Sequence, residues 1–293
     1  MTACGTSGNA RGILFMLAAV LLFSVMDALG KAISNDTNTV MAIWARYLGQ
    51  SVAVFLLVVP KMPAVLKTGY PLLQLLRSVF LLAATTCFFF GIALIGLAEA
   101  TAIMDLAPVL ISLGAALLLG ENFGLRRVLG VLASLTGAIV IIRPGGEVFS
   151  PYAILPLTGA FCFAGYALTT RFVGRDEDAW TSLLYTALVG ALVMSAIAPA
   201  YWEAPAGRTI PMMLAVGAVG AAGQMMLIRA LMVAEAGSVA PFAYAGLLFA
   251  IVWGMIFFGE FPDAPTYIGG AVIVLAGLYV WRREIRANLA GRN

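Results

Sequence analysis

A chain of 293 residues that is 62% hydrophobic and only 11% charged cannot keep a folded surface wet, since a soluble domain carries roughly 25% charged residues. Most of its surface must face lipid, and repeated apolar segments account for the length better than two soluble domains would. A net charge of +3 is too small to argue for a nucleic-acid partner, and the lack of any histidine removes the commonest metal ligand and the usual proton shuttle.

The first apolar segment, 11–31, follows the lone Arg11 as a signal peptide would. No small-x-small cleavage site comes after Ser24-Val25-Met26-Asp27, so it is read as a retained first span. Nine further segments run over 38–59, 71–96, 101–119, 126–143, 152–172, 179–199, 210–232, 237–258 and 265–282. Each is long enough to cross a hydrocarbon core of about 30 Å at 1.5 Å rise per residue. Backbone groups find no water there, and the alternating short segments of a barrel are missing, so the spans must be helices. The expected fold class is all-α, a polytopic membrane protein of ten transmembrane helices. Cys4, Cys87 and Cys162 give neither a disulfide framework nor metal-ligand spacing, and no cofactor is expected.

Lysine and arginine set the orientation. With the N-terminus inside, Arg11, Lys61, Lys67, Arg126, Arg127, Arg171, Arg175, Arg282, Arg283, Arg286 and Arg292 fall on the cytoplasmic side. Only Lys31, Arg143 and Arg208 fall opposite. The chain is therefore expected in a bacterial inner membrane with both termini cytoplasmic.

The two halves repeat. Leu119-Gly120-Glu121 closes span four and Phe258-Gly259-Glu260 closes span nine. Nine residues beyond each glutamate stands a glycine, Gly130 or Gly269, and thirteen further on an arginine, Arg143 or Arg282. Ala98-Glu99-Ala100 corresponds to Ala234-Glu235-Ala236 upstream. Five spans per half is an odd number, so the halves insert with opposite topology, a transporter signature with substrate held where the repeats meet.

Ala107-Pro108, Gly120-Glu121, Gly130, Gly137 and Arg143-Pro144-Gly145 resemble an EamA repeat. The second copy is Pro241-Phe242, Tyr244, Gly259-Glu260, Pro262, Gly269-Gly270 and Gly277. Two such repeats, 11–145 and 150–284, make the chain similar to the drug/metabolite transporter superfamily over essentially its whole length. Within it the chain resembles YddG-type bacterial amino-acid exporters, and also carriers taken to move S-adenosylmethionine. The resemblance implies export of amino acids, large neutral or aromatic ones among them, by alternating access. Carriage of S-adenosylmethionine or another small metabolite or drug is the alternative. The chain departs from strict symmetry at Leu247, which stands where the spacing from Glu260 places the counterpart of Pro108.

A charge at the centre of a span costs about 2.5–3.5 kcal/mol on insertion scales, so each one needs a reason. Asp27, Arg46 and Asp105 fall in the outer half of the membrane, where they border a water-filled cavity that binds a zwitterion or gates the outer mouth. A carboxylate there also offers a place for a proton as coupling ion. The plainer alternative is that Arg46 neutralises one aspartate and holds two helices in register. Arg77 and Arg229 lie towards the cytoplasmic side, within reach of snorkelling, and are read as packing residues or interfacial anchors. Glu121 and Glu260 end helices, where a carboxylate is unfavourable, so each is expected to cap the helix that follows. Trp44, Tyr47, Phe88, Tyr166, Gln224 and Tyr244 complete the candidate cavity, with ordinary helix packing as their alternative. Pro108, Gly120, Glu121, Gly259 and Glu260 form the structural repeat motif. Spans five and ten are read as scaffold, and the other eight as cavity wall.

No Walker A sequence, metalloprotease helix, serine dyad or Asp-rich phosphoryl-transfer motif is present, which argues against pump and enzyme alike. A carrier of a small molecule across the bilayer is the reading that explains the repeat. A receptor or assembly protein would not need one.

Overall fold

The computed structural model describes residues 4–119, 129, 132–133, 136–137, 139–141, 150–174, 176–234 and 239–290, and every regular element among them is helical. Spans one to three are the helices Cys4–Asp36, Thr39–Val58 and Pro71–Ile95. Span four is broken into Leu97–Met104 and Ala107–Leu119. Spans six to eight are Ile154–Val173, Ala179–Ile197 and Thr209–Val233. Span nine passes from a 3-10 stretch, Ala240–Tyr244, through Ala245–Trp253 into a π turn, Gly254–Phe258, and span ten is Ala264–Ala290. Seven of these stretches are long and apolar enough to cross a membrane, and spans nine and ten contribute the shorter apolar helices Phe242–Phe258 and Ala264–Ala276. Most of span five lies outside the described residues, as do Gly120, Glu121, Arg126, Arg127, Gly130, the Arg143-Pro144-Gly145 motif, Arg175 and Glu235.

Local chemistry sets the helix ends. Asn38, extended at φ −147°, accepts the Met41 N–H at 3.0 Å and starts span two. Proline opens span three, where its missing N–H costs nothing. Gly96 turns the chain from span three to span four at φ 103°, a conformation that a side chain would strain. Asp263 starts span ten by accepting from the Thr266 N–H at 3.0 Å and its hydroxyl at 2.7 Å. The outward faces carry exposed leucines such as Leu56, Leu72, Leu118 and Leu192, the surface a lipid-facing bundle needs.

The packing has the symmetry of the repeat. Span one lies along span eight, and span three along span six. Exchanging each span for its counterpart in the other half converts the first pair into the second. The same exchange turns the contact of spans one and nine into that of six and four, and the contact of two and eight into that of seven and three. Spans two and seven pair with each other. Glycines permit the closest approaches: a methyl group on Gly137 or Gly269 would stand 2.7 or 2.5 Å from the other's carbonyl oxygen. Span four breaks at Asp105–Leu106; the matching place in span nine, Tyr244–Ala245, is where its 3-10 stretch passes into α-helix, and Leu247, in the place of Pro108, lies within that helix and packs on Gly270.

Candidate functional site

Between the halves lies a cavity with about 1180 Å³ of empty space, the open solvent at its mouth included. Its walls come from spans one, three, four, six, eight and nine, and span two contributes Arg46 alone. Span seven and the described residues of spans five and ten take no part. Most of the lining is apolar, with Phe23, Phe88, Phe89 and Phe163 giving it an aromatic wall and Met16, Met26 and Met104 filling between. Set into this surface are Asp27, Arg46, Thr85, Thr101, Asp105 and Gln224.

Arg46 is almost wholly buried, at 2% exposure, and is held from three sides. Its Nε donates to the Met26 sulfur at 3.1 Å, and its Nη1 donates to the Thr85 hydroxyl. The guanidinium lies 4.8 Å from the Tyr47 ring centre and 6.0 Å from that of Phe89, in reach of cation–π attraction. The Tyr47 hydroxyl also donates to Thr85, at 3.1 Å, so one threonine fixes both side chains. Asp27 follows Met26 on span one and feels the charge of Arg46, yet no ion pair joins the two. Its Oδ1 is buried without a hydrogen-bond partner.

Asp105 lies elsewhere on the wall, at the break in span four, 7% exposed and with its Oδ2 unpartnered. Gln224 donates to the Tyr166 hydroxyl, while its Oε1 accepts nothing. Behind Tyr166 lies Arg77, 5.2 Å from the ring centre. Its Nη1 donates to Gln74 Oε1 at 2.9 Å and its Nη2 to the Ser182 carbonyl at 2.7 Å. Arg77 therefore does not snorkel. It is fully buried, and links spans three, six and seven by bonds that a membrane headgroup would otherwise have supplied.

Of the expected cavity residues, Asp27, Arg46, Phe88, Asp105 and Gln224 line the space, and so does Pro108 of the repeat motif. Trp44, Tyr47, Tyr166 and Tyr244 do not. Trp44 donates to Ser195 at 3.1 Å and meets the Trp202 ring edge-on at 5.6 Å. Tyr47 and Tyr166 stand one layer behind the wall, orienting Thr85 and Gln224, and Tyr244 is buried beside Asp105. Met26, Thr85, Phe89 and Phe163 went unselected in the sequence. The adjacent hydroxyls Thr85-Thr86, inside an apolar run, were the one signal that pointed to any of them.

The repeats are tied to each other at both ends of the bundle. At one end Lys31 of span one pairs with Glu260 and lies 5.0 Å from the Phe258 ring centre. The other oxygen of Glu260 accepts the Leu97 N–H at 3.2 Å. Glu260 thus caps span four rather than span ten, which is started by Asp263 instead. Leu97 itself lines the cavity. Beside this closure Arg208 donates to Asp36 at 2.6 and 3.1 Å, and the carboxylate raises the guanidinium's pKa. At the opposite end the loop before span three meets the loop before span seven. Tyr70 donates to Asp176 at 2.9 Å, which raises the phenol's pKa. Glu177 accepts from the Thr68 hydroxyl at 2.9 Å and the Gly69 N–H at 2.6 Å.

The sequence profile of the EamA-like transporter family matches residues 10–143 and 150–282. The pseudopaline exporter CntI of Pseudomonas aeruginosa is 32% identical over 275 residues, 93% of this chain and 96% of that protein. The S-adenosylmethionine uptake transporter of Rickettsia prowazekii is 24% identical over 270 residues, 92% of each chain. The riboflavin transporter of Rhizobium johnstonii is 29% identical over 287 residues, 94% of this chain and 92% of that one. A crystal structure with 22% sequence identity shares the fold at a TM-score of 0.69, covering 95% of this chain and 99% of its own.

Proposed function

The chain belongs to the EamA-like transporter family, and from that premise we propose that it exports amino acids, or metabolites built on an amino-acid head, with a bulky aromatic or aliphatic body. That it is a small-molecule transporter follows from the family and its relatives; the substrate and the direction are our reading. The observation that carries it is the opposite charge of Arg46 and Asp27 in the wall of a largely apolar, aromatic-sided cavity between the halves. A carboxylate group finds the guanidinium there, an ammonium group finds Asp27, and the side chain packs against Phe88, Phe89 and Phe163. Export is supported by the name of the pseudopaline exporter among the relatives. A second reading, S-adenosylmethionine as cargo, is favoured by the Rickettsia relative and by the second carboxylate, Asp105.

In this reading the repeats 11–145 and 150–284 rock about the cavity in a bacterial inner membrane with both termini cytoplasmic. Lys31, Glu260 and Leu97 then form the closed outer end. Asp27 and Asp105 are the carboxylates available to a coupling proton. The test is flux in proteoliposomes loaded with labelled phenylalanine or methionine, with and without an imposed pH gradient. Saturable efflux that Arg46→Gln abolishes is expected, and a pH effect lost in Asp27→Asn would tie the proton to that carboxylate. Flux of S-adenosylmethionine with none of the amino acids would replace the first substrate by the second.

A further inference from the structure

We infer that Asp105 reads a positive charge on the body of the substrate, so that the preferred cargo carries a cationic nitrogen or sulfur in addition to its amino-acid head. This rests on the amino-acid reading above and names the substrate class within it. Among the described residues the cavity is lined by one basic side chain and two acidic ones. The basic one is Arg46, which Met26 and Thr85 already engage and whose charge is set against Asp27. Asp105 is left without a counterpart, more than nine-tenths buried, and with Oδ2 bonded to nothing. An ionised carboxylate in that position costs several kcal/mol until a cation meets it.

The backbone at the same place is also rich in acceptors. Span four stops at Met104, Leu106 N–H turns back to the Ile103 carbonyl at 3.1 Å, and Val109 and Leu110 both donate to the Leu106 carbonyl at 3.1 Å. Pro108 has no N–H to offer the Met104 carbonyl. One half-helix ends and the next begins at Asp105–Leu106, and the Met104 carbonyl beside the carboxylate lacks the donor that a continuous helix would give it. Across from it the Oε1 of Gln224 also lacks a donor. Burial, unpaired acceptors and an interrupted helix coincide, and a cationic group satisfies them together.

The test uses the full chain in proteoliposomes and two pairs of probes in which one member adds a cationic group to the other: L-lysine against L-norleucine, and S-methyl-L-methionine against L-methionine. The charged member of each pair is expected to be preferred by about tenfold or more, with Asp105→Asn collapsing that ratio and Asp105→Glu keeping part of it. A cooperative thermal transition of the ligand-free Asp105→Asn protein near the wild-type temperature shows that the variant is folded. Thermal unfolding of detergent-solubilised protein, raised by S-methyl-L-methionine in the wild type and not in Asp105→Asn, reads the same point without transport. Equal rates within each pair in the wild type would overturn the inference and leave the amino-acid reading standing. So would an Asp105→Asn variant that slows both members alike, as expected if the group carries only a proton. No flux of any of the four probes, with flux of an unrelated metabolite, would sink both.

Discussion

Arg46 is positioned by a sulfur, a hydroxyl and an aromatic face, and only a planar guanidinium meets all three at once. Arg46→Lys keeps the charge but loses the fork and the stacking. The protein should remain folded, with its apparent affinity for transported substrate lowered about tenfold; a saturation curve in proteoliposomes checks this. Thr85→Val should do the opposite. It leaves the Arg46 Nη1 and the Tyr47 hydroxyl without an acceptor in a buried site, at a cost of about 1–3 kcal/mol, and should lower the unfolding temperature before it changes selectivity. The sequence made Arg46 and Asp27 legible because a charge in an apolar span is expensive. It hid Thr85, because a hydroxyl in a membrane helix is cheap and so carries little information. Neighbours of Arg46 in sequence part ways on the helix: Tyr47 stays against the guanidinium but one layer behind the cavity wall, and Trp44 turns to Ser195 and Trp202.

Span four shows how much of an element a single residue announces. Pro108 marks a weak point, but the helix parts at Asp105–Leu106, upstream of the proline, because the lost bond and the ring's clash both fall on the preceding turn. Pro108→Ala should restore the missing donor, straighten the span and lift Asp105 out of register with the cavity. The expected result is a protein at least as heat-stable as the wild type whose flux falls severalfold, measured by unfolding temperature and transport on the same preparation. The counterpart of that break, Tyr244–Ala245, is where the 3-10 stretch of span nine gives way to α-helix. Leu247, in the place of Pro108, packs on Gly270 inside that helix, so the departure from repeat symmetry already present in the sequence lies just beyond the change of helix type. Spans two and eight give a different prediction. A methyl group on Gly217 would press on Gly49 and stand 2.7 Å from the Gln50 nitrogen. Overpacking of this kind costs about 1–3 kcal/mol, so Gly217→Ala should lower the unfolding temperature, whereas Gly207→Ala, which has open space around it, should not.

At the scale of the whole molecule, the contacts that tie the repeats at the two ends of the bundle differ in character. Where the loops before spans three and seven meet, a phenol donates to the exposed carboxylate of Asp176, and a threonine hydroxyl and a backbone N–H donate to the half-buried one of Glu177. At the other end a lysine only 6% exposed pairs with a glutamate 34% exposed that also holds the first N–H of span four. The repeat leads to the expectation of two inverted halves with substrate held where they meet. It gives no sign of this closure, because Lys31 has no partner close in sequence and Glu260, at a helix end, reads as a cap. If halves rock about the cavity, this contact must break in each cycle, so it should be strong enough to close and weak enough to open. Removing one partner of a fully buried pair costs about 3–5 kcal/mol, and the exposure of Glu260 brings the expected figure towards the 1–2 kcal/mol range. Glu260→Gln should therefore bias the protein towards opening at that end. In a background where Cys4, Cys87 and Cys162 are replaced, a cysteine introduced at Thr101, on the cavity wall just beyond Leu97, should react faster with a membrane-impermeant maleimide in vesicles that present the Lys31 end. The double variant Lys31→Gln, Glu260→Gln separates charge from shape. It removes the stranded lysine, so its heat stability should recover towards that of the wild type while the labelling stays fast. Labelling as slow as in the wild type in both variants would mean that the apolar contacts around Leu97 and Phe258 hold this end shut on their own.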